Sequence, residues 1–461
     1  MVPESIKSAH PNKLLPRANY LLRPPASIIL VGGFFIILAA RLFRLTYRYA
    51  VNIFFWDQWV FNNAALFEKH SVWEMFDWQY GPHRLGLGPL ISTLIEPRFD
   101  WNSRAQSFVA CSIVVVAAGC ALWLKKRLFG GISSYDVAIP LIYFSANQYE
   151  SLFITSNLAH GPLPLLLVTL YCLAWTTPNV LLKYAIVLLL NFATIYTGFG
   201  LFLGFLTPLL LISDYRVNRR TTASMWLYSA IALLIACASL VLFFHGYTQQ
   251  PAVSCFSLKL GRPLPYVWYM SILLANFFGI RSVGSFARMT GSLILLGLLW
   301  ILKVTAVRIS ISASELWTQN AISATLVGFV LLFSANTAFG RLCLGVSSAQ
   351  ASRYTNYIAL GVFGGYLYLV SMTPTKIRSG LLTIAVLALL VTIPIRAEDR
   401  GTMRFFSEIK RNWKACWLAG GTIPECDKIA GYKIEPEPDT VLQQKMQFLK
   451  EHRENLYSES Y

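Results

Sequence analysis

"ASIILVGGFFIILAARLFRLTY" (26–47) holds no charge before Arg41 and is long enough to cross a bilayer, for which about 20 residues suffice. Similar runs recur at about 106–124, 136–152, 159–176, 181–196, 199–213, 224–244, 290–302, 318–335, 356–372 and 380–395. The whole chain has 461 residues, 55% hydrophobic and 13% charged. Soluble domains carry about 25% charged residues, so the pattern predicts an all-α, polytopic membrane bundle. The net charge of +17 comes from bases scattered between apolar runs. That scatter argues against nucleic acid and fits the excess of Lys and Arg in cytoplasmic loops. Lys7, Lys13, Arg17 and Arg23 precede the first run, and no small-residue cleavage site follows it. An uncleaved first span is expected.

The basic connectors are "KKRLFGG" (125–131), Lys183, "DYRVNRR" (214–220), "KVTAVR" (303–308) and "TKIR" (375–378). All fall on the N-terminal side of the membrane if the further run at 266–280 does not cross. That segment is therefore expected to be re-entrant or interfacial, giving about 11 spans with the N-terminus in and the C-terminus out. Residues 1–395 then form the bundle, and 396–461 an external C-terminal domain. Runs such as 181–196 and 199–213 are short for a span, which is tolerated where helices meet protein or a water-filled cavity. No internal repeat of the secondary-transporter kind is visible.

The 22 acids are unevenly placed: six lie in 50–105 and eleven in 396–461. In "FFWDQW" (54–59), Asp57 sits between Trp56 and Trp59, just after the first span. Glu150, in "ANQYESLFITSNLAH" (146–160), falls between two spans on the same outer side. A carboxylate at a membrane boundary is costly and points to function, with a helix cap or salt bridge as the structural alternative. "NNAALFEKHSVWEMFDWQYG" (62–81) reads as short amphipathic surface helices with Phe67, Trp73, Phe76 and Trp78 at the interface.

Phosphate-binding candidates are His83 and Arg84 in "YGPHRLGLG" (80–88), and Arg341, Arg353 and Tyr354 in "AFGRLCLGVSSAQASRYTNY" (338–357). The planar guanidinium fork matches phosphate oxygens in pairs. Arg41, Arg44 and Arg48 share one face of the first helix, where they either bind the substrate or snorkel to lipid headgroups. There is no P-loop, no GxGxxG after a strand, no HExxH and no GxSxG. Nucleotide hydrolysis, nicotinamide chemistry and zinc proteolysis are therefore unsupported.

An aromatic-flanked Asp after span 1, the "HR" pair, "NQYES", "GR…ASRY" before a late span and a polar tail together resemble the polytopic GT-C glycosyltransferases of bacteria. The resemblance implies a multi-pass inner-membrane enzyme with its site facing the periplasm. It implies a polyprenyl-phosphate-linked sugar as donor and a periplasmic polysaccharide such as O-antigen as acceptor. It also implies Asp57 as catalytic base, with Glu150 as the alternative base or an acceptor-orienting group. Many relatives have a second acid where this chain has Gln58, so a metal-independent reaction without a cofactor is expected. A flippase and a donor-synthesising glycosyltransferase would be its functional partners. The rival readings are a lipid-glycan transporter or flippase, and an O-antigen polymerase or ligase.

Cys111, Cys120, Cys172 and Cys237 lie in apolar runs and read as packing residues, whereas Cys255, Cys343, Cys416 and Cys426 lie in polar segments. Within "CWLAGGTIPEC" (416–426), Cys416 and Cys426 are expected to close a disulfide in an oxidising compartment. The tail is expected to be compact, to cover the cavity and to help select the acceptor.

Overall fold

The computed structural model of the chain describes residues 24–68, 70–218, 225–249, 255, 263–311, 314–435 and 438–458. The basic N-terminal residues Lys7, Lys13, Arg17 and Arg23 lie outside the described residues, as do Arg219 and Arg220. Among the described residues the fold is all-α, apart from one hairpin that pairs Gln79–Tyr80 with His83–Arg84. Among the described residues, five helices are long and apolar enough to cross a membrane: Pro25–Tyr49, Ser103–Phe129, Met225–Phe244, Ser285–Ile311 and Leu316–Leu344. Several of them turn large apolar side chains outward, among them Ile28, Ile29, Ile36, Ile37, Leu293, Leu296 and Trp300. Such a surface needs an apolar solvent, as a bilayer provides.

The helix Ser314–Arg341 is the central post, packed against Leu201–Asn218, Leu264–Phe277, Ser285–Ile311 and Thr355–Ser371. Its late neighbours approach through small residues. Gly361 and Gly364 leave room for Val330 and Leu326, and a Cβ at either would press within 3.0 Å of those side chains. The segment Leu264–Phe277 and the loop after it are bonded to the stretch that follows this post. Tyr269 shares a hydrogen bond with Ser348 at 3.1 Å, Asn276 donates to Ala351 O at 3.4 Å, and Arg281 donates to Gln350 O.

The apolar run at 136–152 departs from the expected span. Its regular helix covers only Ala138–Tyr143, followed by 3₁₀ and π turns. The cause lies in its polar side chains, which bond to the backbone in place of helical partners. Ser145 accepts from Asn147 N at 3.3 Å, Gln148 Nε2 donates to Tyr143 O at 2.7 Å, and Asn147 Nδ2 donates to Phe277 O at 3.2 Å. All three are buried, so this irregular backbone is wrapped in protein rather than lipid.

At the end of the helix Ser103–Phe129 away from the tail, Lys125 pairs with Asp136 at 2.6 Å, and elsewhere Lys183 pairs with Asp214 at 2.8 Å. All four residues are buried. The C-terminal region folds as three helices, Ala397–Leu418, Ile423–Ala430 and Asp439–His452. It is fastened to the bundle at separate points. Buried Asn455 donates to Asp100 O at 2.7 Å and Trp101 O at 2.8 Å, and accepts from Asn52 at 2.7 Å. Lys410 Nζ donates to Ile154 O at 2.8 Å, and Arg281 pairs with Asp399 at 2.8 Å.

Cys416 and Cys426 form a disulfide, and so do Cys255 and Cys343. The second bridge joins segments 88 residues apart. The tail bridge closes a short loop worth about 2–3 kcal/mol by chain entropy. Cys416→Ser is expected to raise the susceptibility of the C-terminal domain to proteolysis without displacing the bundle. In protein isolated and denatured without reductant, maleimide should label the free thiols Cys111, Cys120, Cys172 and Cys237 and spare all four bridged cysteines. Free thiols at Cys416 and Cys426 would contradict both bridging and an oxidising location.

Candidate functional site

One cavity of about 740 Å³ opens where the C-terminal domain meets the bundle. Asp57, His83, Glu150, Arg341, Arg353 and Tyr354 all line it. They come from five separate stretches of chain.

Asp57 is placed by a turn rather than by the end of the first helix. That helix stops at Tyr49, and residues 50–55 continue as buried chain. Gln58 N then donates to Phe55 O at 3.2 Å, and Trp56 between them has φ 52° and ψ −124°. This is a type II′ turn whose first central position normally carries glycine. A tryptophan there costs about 1–3 kcal/mol, and such strain persists only where the surroundings impose it. Here the tail imposes it: Trp56 N donates to Ile434 O at 2.7 Å and its indole Nε1 to Lys433 O at 3.2 Å. From below, the side chain of Gln58 accepts from Phe55 N at 3.1 Å and donates to Gln106 at 2.8 Å. Gln106 donates to Glu96 at 2.6 Å, a buried carboxyl pushed up to about 7 by desolvation. Gln58 is thus a structural brace. Trp59, the other tryptophan flanking Asp57, is fully buried between Phe54 and Phe67.

Glu150 and Arg353 form an ion pair. Arg353 Nη1 donates to Glu150 Oε1 at 2.7 Å, Arg353 N donates to the same carboxylate at 3.3 Å, and Ser352 Oγ accepts from Glu150 N at 2.9 Å. The Arg353 side chain stays 38% exposed and Glu150 25%, so both remain open to a ligand. Arg353 also lies over the Tyr354 ring at 5.6 Å. Loss of hydration pushes the Asp57 carboxyl above the usual range; Arg353 and Arg341 oppose this, and Glu150 reinforces it.

The hairpin explains why His83 and Arg84 part company. Neighbours on a strand point to opposite faces, and Gly81, at φ 55°, makes the tight return. His83 faces the cavity and meets His160 with ring centres 5.1 Å apart. Arg84 turns the other way, donating to Phe243 O at 2.7 Å and His245 O at 2.6 Å and pairing with Asp77. Burial, with the charge of Arg341 adding to it, pushes His83 down to about 4. Burial likewise holds His160 well below its usual value, with His83 and the arginines adding to the effect. Both rings are therefore neutral at physiological pH and bond as donor and acceptor at once.

Arg41 and Arg44 do not line the cavity either. Arg44 and Arg48 are exposed and Arg41 half-buried, and the buried stretch 50–55 separates their face from Asp57. Snorkelling is the reading that fits them.

Residues that sequence reasoning did not single out also line it, among them Tyr149, Asn157, His160 and Tyr357 from the bundle, and Thr402, Phe406 and Tyr432 from the tail. His160 was open to notice, as a histidine at the entrance of an apolar run. Gly198 gives it space, since a Cβ there would lie 2.8 Å from His160 Nδ1 and 2.3 Å from the Tyr357 hydroxyl.

Chemically, the site offers two carboxylates, one of them poorly hydrated, two guanidinium groups, two neutral imidazoles and aromatic walls. It suits a ligand that carries both an anionic group and a hydroxyl to be deprotonated. No protein-family model matches the chain, and no curated protein matches it in sequence.

Proposed function

We propose that the protein is a multi-pass inner-membrane glycosyltransferase of the GT-C kind. It moves a sugar from a polyprenyl-phosphate donor to a periplasmic glycan such as O-antigen. The observation that carries this reading is the convergence of Asp57, Glu150, Arg341 and Arg353 on one open cavity. About eleven crossings, N-in and C-out, put that cavity outside. The bonding of Tyr269 and Asn276 in Leu264–Phe277 to one and the same loop supports this topology, as do two disulfides among the polar segments.

In the proposed reaction the acceptor hydroxyl oxygen attacks the anomeric carbon while Asp57 takes its proton. The bond from that carbon to the donor phosphate oxygen breaks, and its electron pair leaves with the polyprenyl phosphate. Arg353 and Arg341 meet the charge that develops there. His83 and His160, being neutral, hold sugar hydroxyls without competing for the proton. A path through the membrane is disfavoured, because Lys125 and Lys183 are already paired with buried acids.

A base must be ionised to act, so transfer is expected to fall as pH drops through the raised Asp57 pKa. Glu150→Gln removes a negative neighbour and releases Arg353, and both changes favour ionised Asp57. The acid limb of kcat/KM should then move to lower pH. A limb that stays put or moves upward would argue against Asp57 as the titrating group. The reading as a whole is tested by giving a membrane fraction a polyprenyl phosphate with a labelled sugar. Label should enter polysaccharide only when the protein is present; no protein-dependent label would refute the function.

A further inference from the structure

The cavity wall contributed by the C-terminal domain has a feature that the transfer chemistry leaves unused. The Trp56 indole lies against Tyr432, with ring centres 5.8 Å apart and planes 30° apart, and Tyr432 in turn lies over Phe55 at 6.1 Å. Although fixed at its backbone N, its Nε1 and its stacked ring, Trp56 remains 39% exposed and lines the cavity. Tyr80 lines the same cavity and is also exposed, stacked on Trp78 at 5.8 Å and edge-on to Phe61. Gln79, Thr155, Asn157 and Thr402 line this cavity too. A membrane anchor would sit on the perimeter of the bundle. These rings instead line a recess, and the indole N–H is already spent on Lys433 O.

Flat apolar faces beside amides and hydroxyls match the chemistry of a pyranose. Its C–H face stacks on an aromatic ring, and its hydroxyls bond to the polar groups around it. The two sides of the cavity also differ. Arg341 ends a helix of membrane length, whereas Phe406 and Tyr432 belong to the polar tail. A lipid-borne phosphate approaches from the first side and a water-borne glycan from the second. We propose that Trp56 and Tyr432 form a stacking platform for a pyranose residue of the acceptor glycan, so that the C-terminal domain selects the acceptor. The assignment of this glycan as the acceptor rests on the transferase reading above. The strained turn fits this role: it holds the indole and Asp57 side by side, so the stacked sugar presents its hydroxyl to the base.

The test uses the full chain in detergent, without donor. The probe is delipidated polysaccharide from the surface of the organism that makes the protein. Saturation-transfer difference NMR should show wild-type protein contacting the C–H faces of the sugar rings. Trp56→Gly, which suits the backbone of the turn, and Tyr432→Ala should each weaken binding by about tenfold or more, as for truncation of a central aromatic anchor. Trp56→Tyr and Tyr432→Phe keep a ring and should retain binding. No saturation transfer to wild type, or equal binding by all four variants, would overturn the platform. Ring-dependent binding without any sugar transfer by wild type would uphold the platform and sink the transferase reading. Transfer whose acceptor KM ignores both rings would do the reverse.

Discussion

Asp57→Asn is expected to reduce sugar transfer by about 10²–10⁴-fold, the usual contribution of a positioned general base. The substitution is nearly isosteric, so the turn at 55–58 and its bonds to Ile434 and Gln106 should survive. The variant should accumulate in membranes at the wild-type level. Asn cannot take a proton, and the loss should appear in kcat rather than in donor binding. Glu150→Gln, measured at matched expression, should do less damage, because that carboxylate is engaged with Arg353. Full activity in Asp57→Asn would refute the mechanism. A selective loss in Glu150→Gln would move the base to Glu150.

Arg353→Ala is expected to cost about 1.5–3 kcal/mol, the worth of a hydrogen bond to a charged group, or roughly ten- to a hundredfold in rate. Arg353→Lys should remain impaired, because a point charge cannot replace the fork that grips two phosphate oxygens. A second signature separates this role from simple loss of packing. Arg353 holds the Asp57 pKa down, whereas Glu150 pushes it up. Removing the arginine should therefore move the acid limb of the pH profile upward, opposite to Glu150→Gln. Unchanged transfer by a folded Arg353→Ala protein would remove the phosphate role.

Much of this site was legible in the chain because charge is scarce in an apolar sequence. Asp57, Glu150, Arg341 and Arg353 stood out as charges at the ends of apolar runs, and the fold brings them together. The Cys416–Cys426 bridge was legible too, since the two cysteines lie only ten positions apart in a polar setting. Other features depend on backbone geometry that composition does not carry. His83 and Arg84 are neighbours in sequence, yet the strand alternation sends one into the cavity and the other into carbonyl bonds. Gln58 looked like a missing second acid and serves as a brace. The glycine-type backbone of Trp56 becomes visible only with the tail docked against it. Cys255 and Cys343 are 88 residues apart, and nothing local announces that pairing. Lys410, buried against Ile154 O and pushed down to about 7 by desolvation, looked like one base among eleven in a polar tail.

The most direct measurement places the purified protein in liposomes with a polyprenyl-phosphate sugar labelled separately on its sugar and on its lipid. Added polysaccharide is then recovered, and both labels are followed. A transferase sends the sugar label into polysaccharide and leaves an equal amount of free polyprenyl phosphate in the membrane, and Asp57→Asn stops both. If the two labels instead stay joined and the intact donor moves between leaflets, the protein is a transporter and the catalytic role of Asp57 falls.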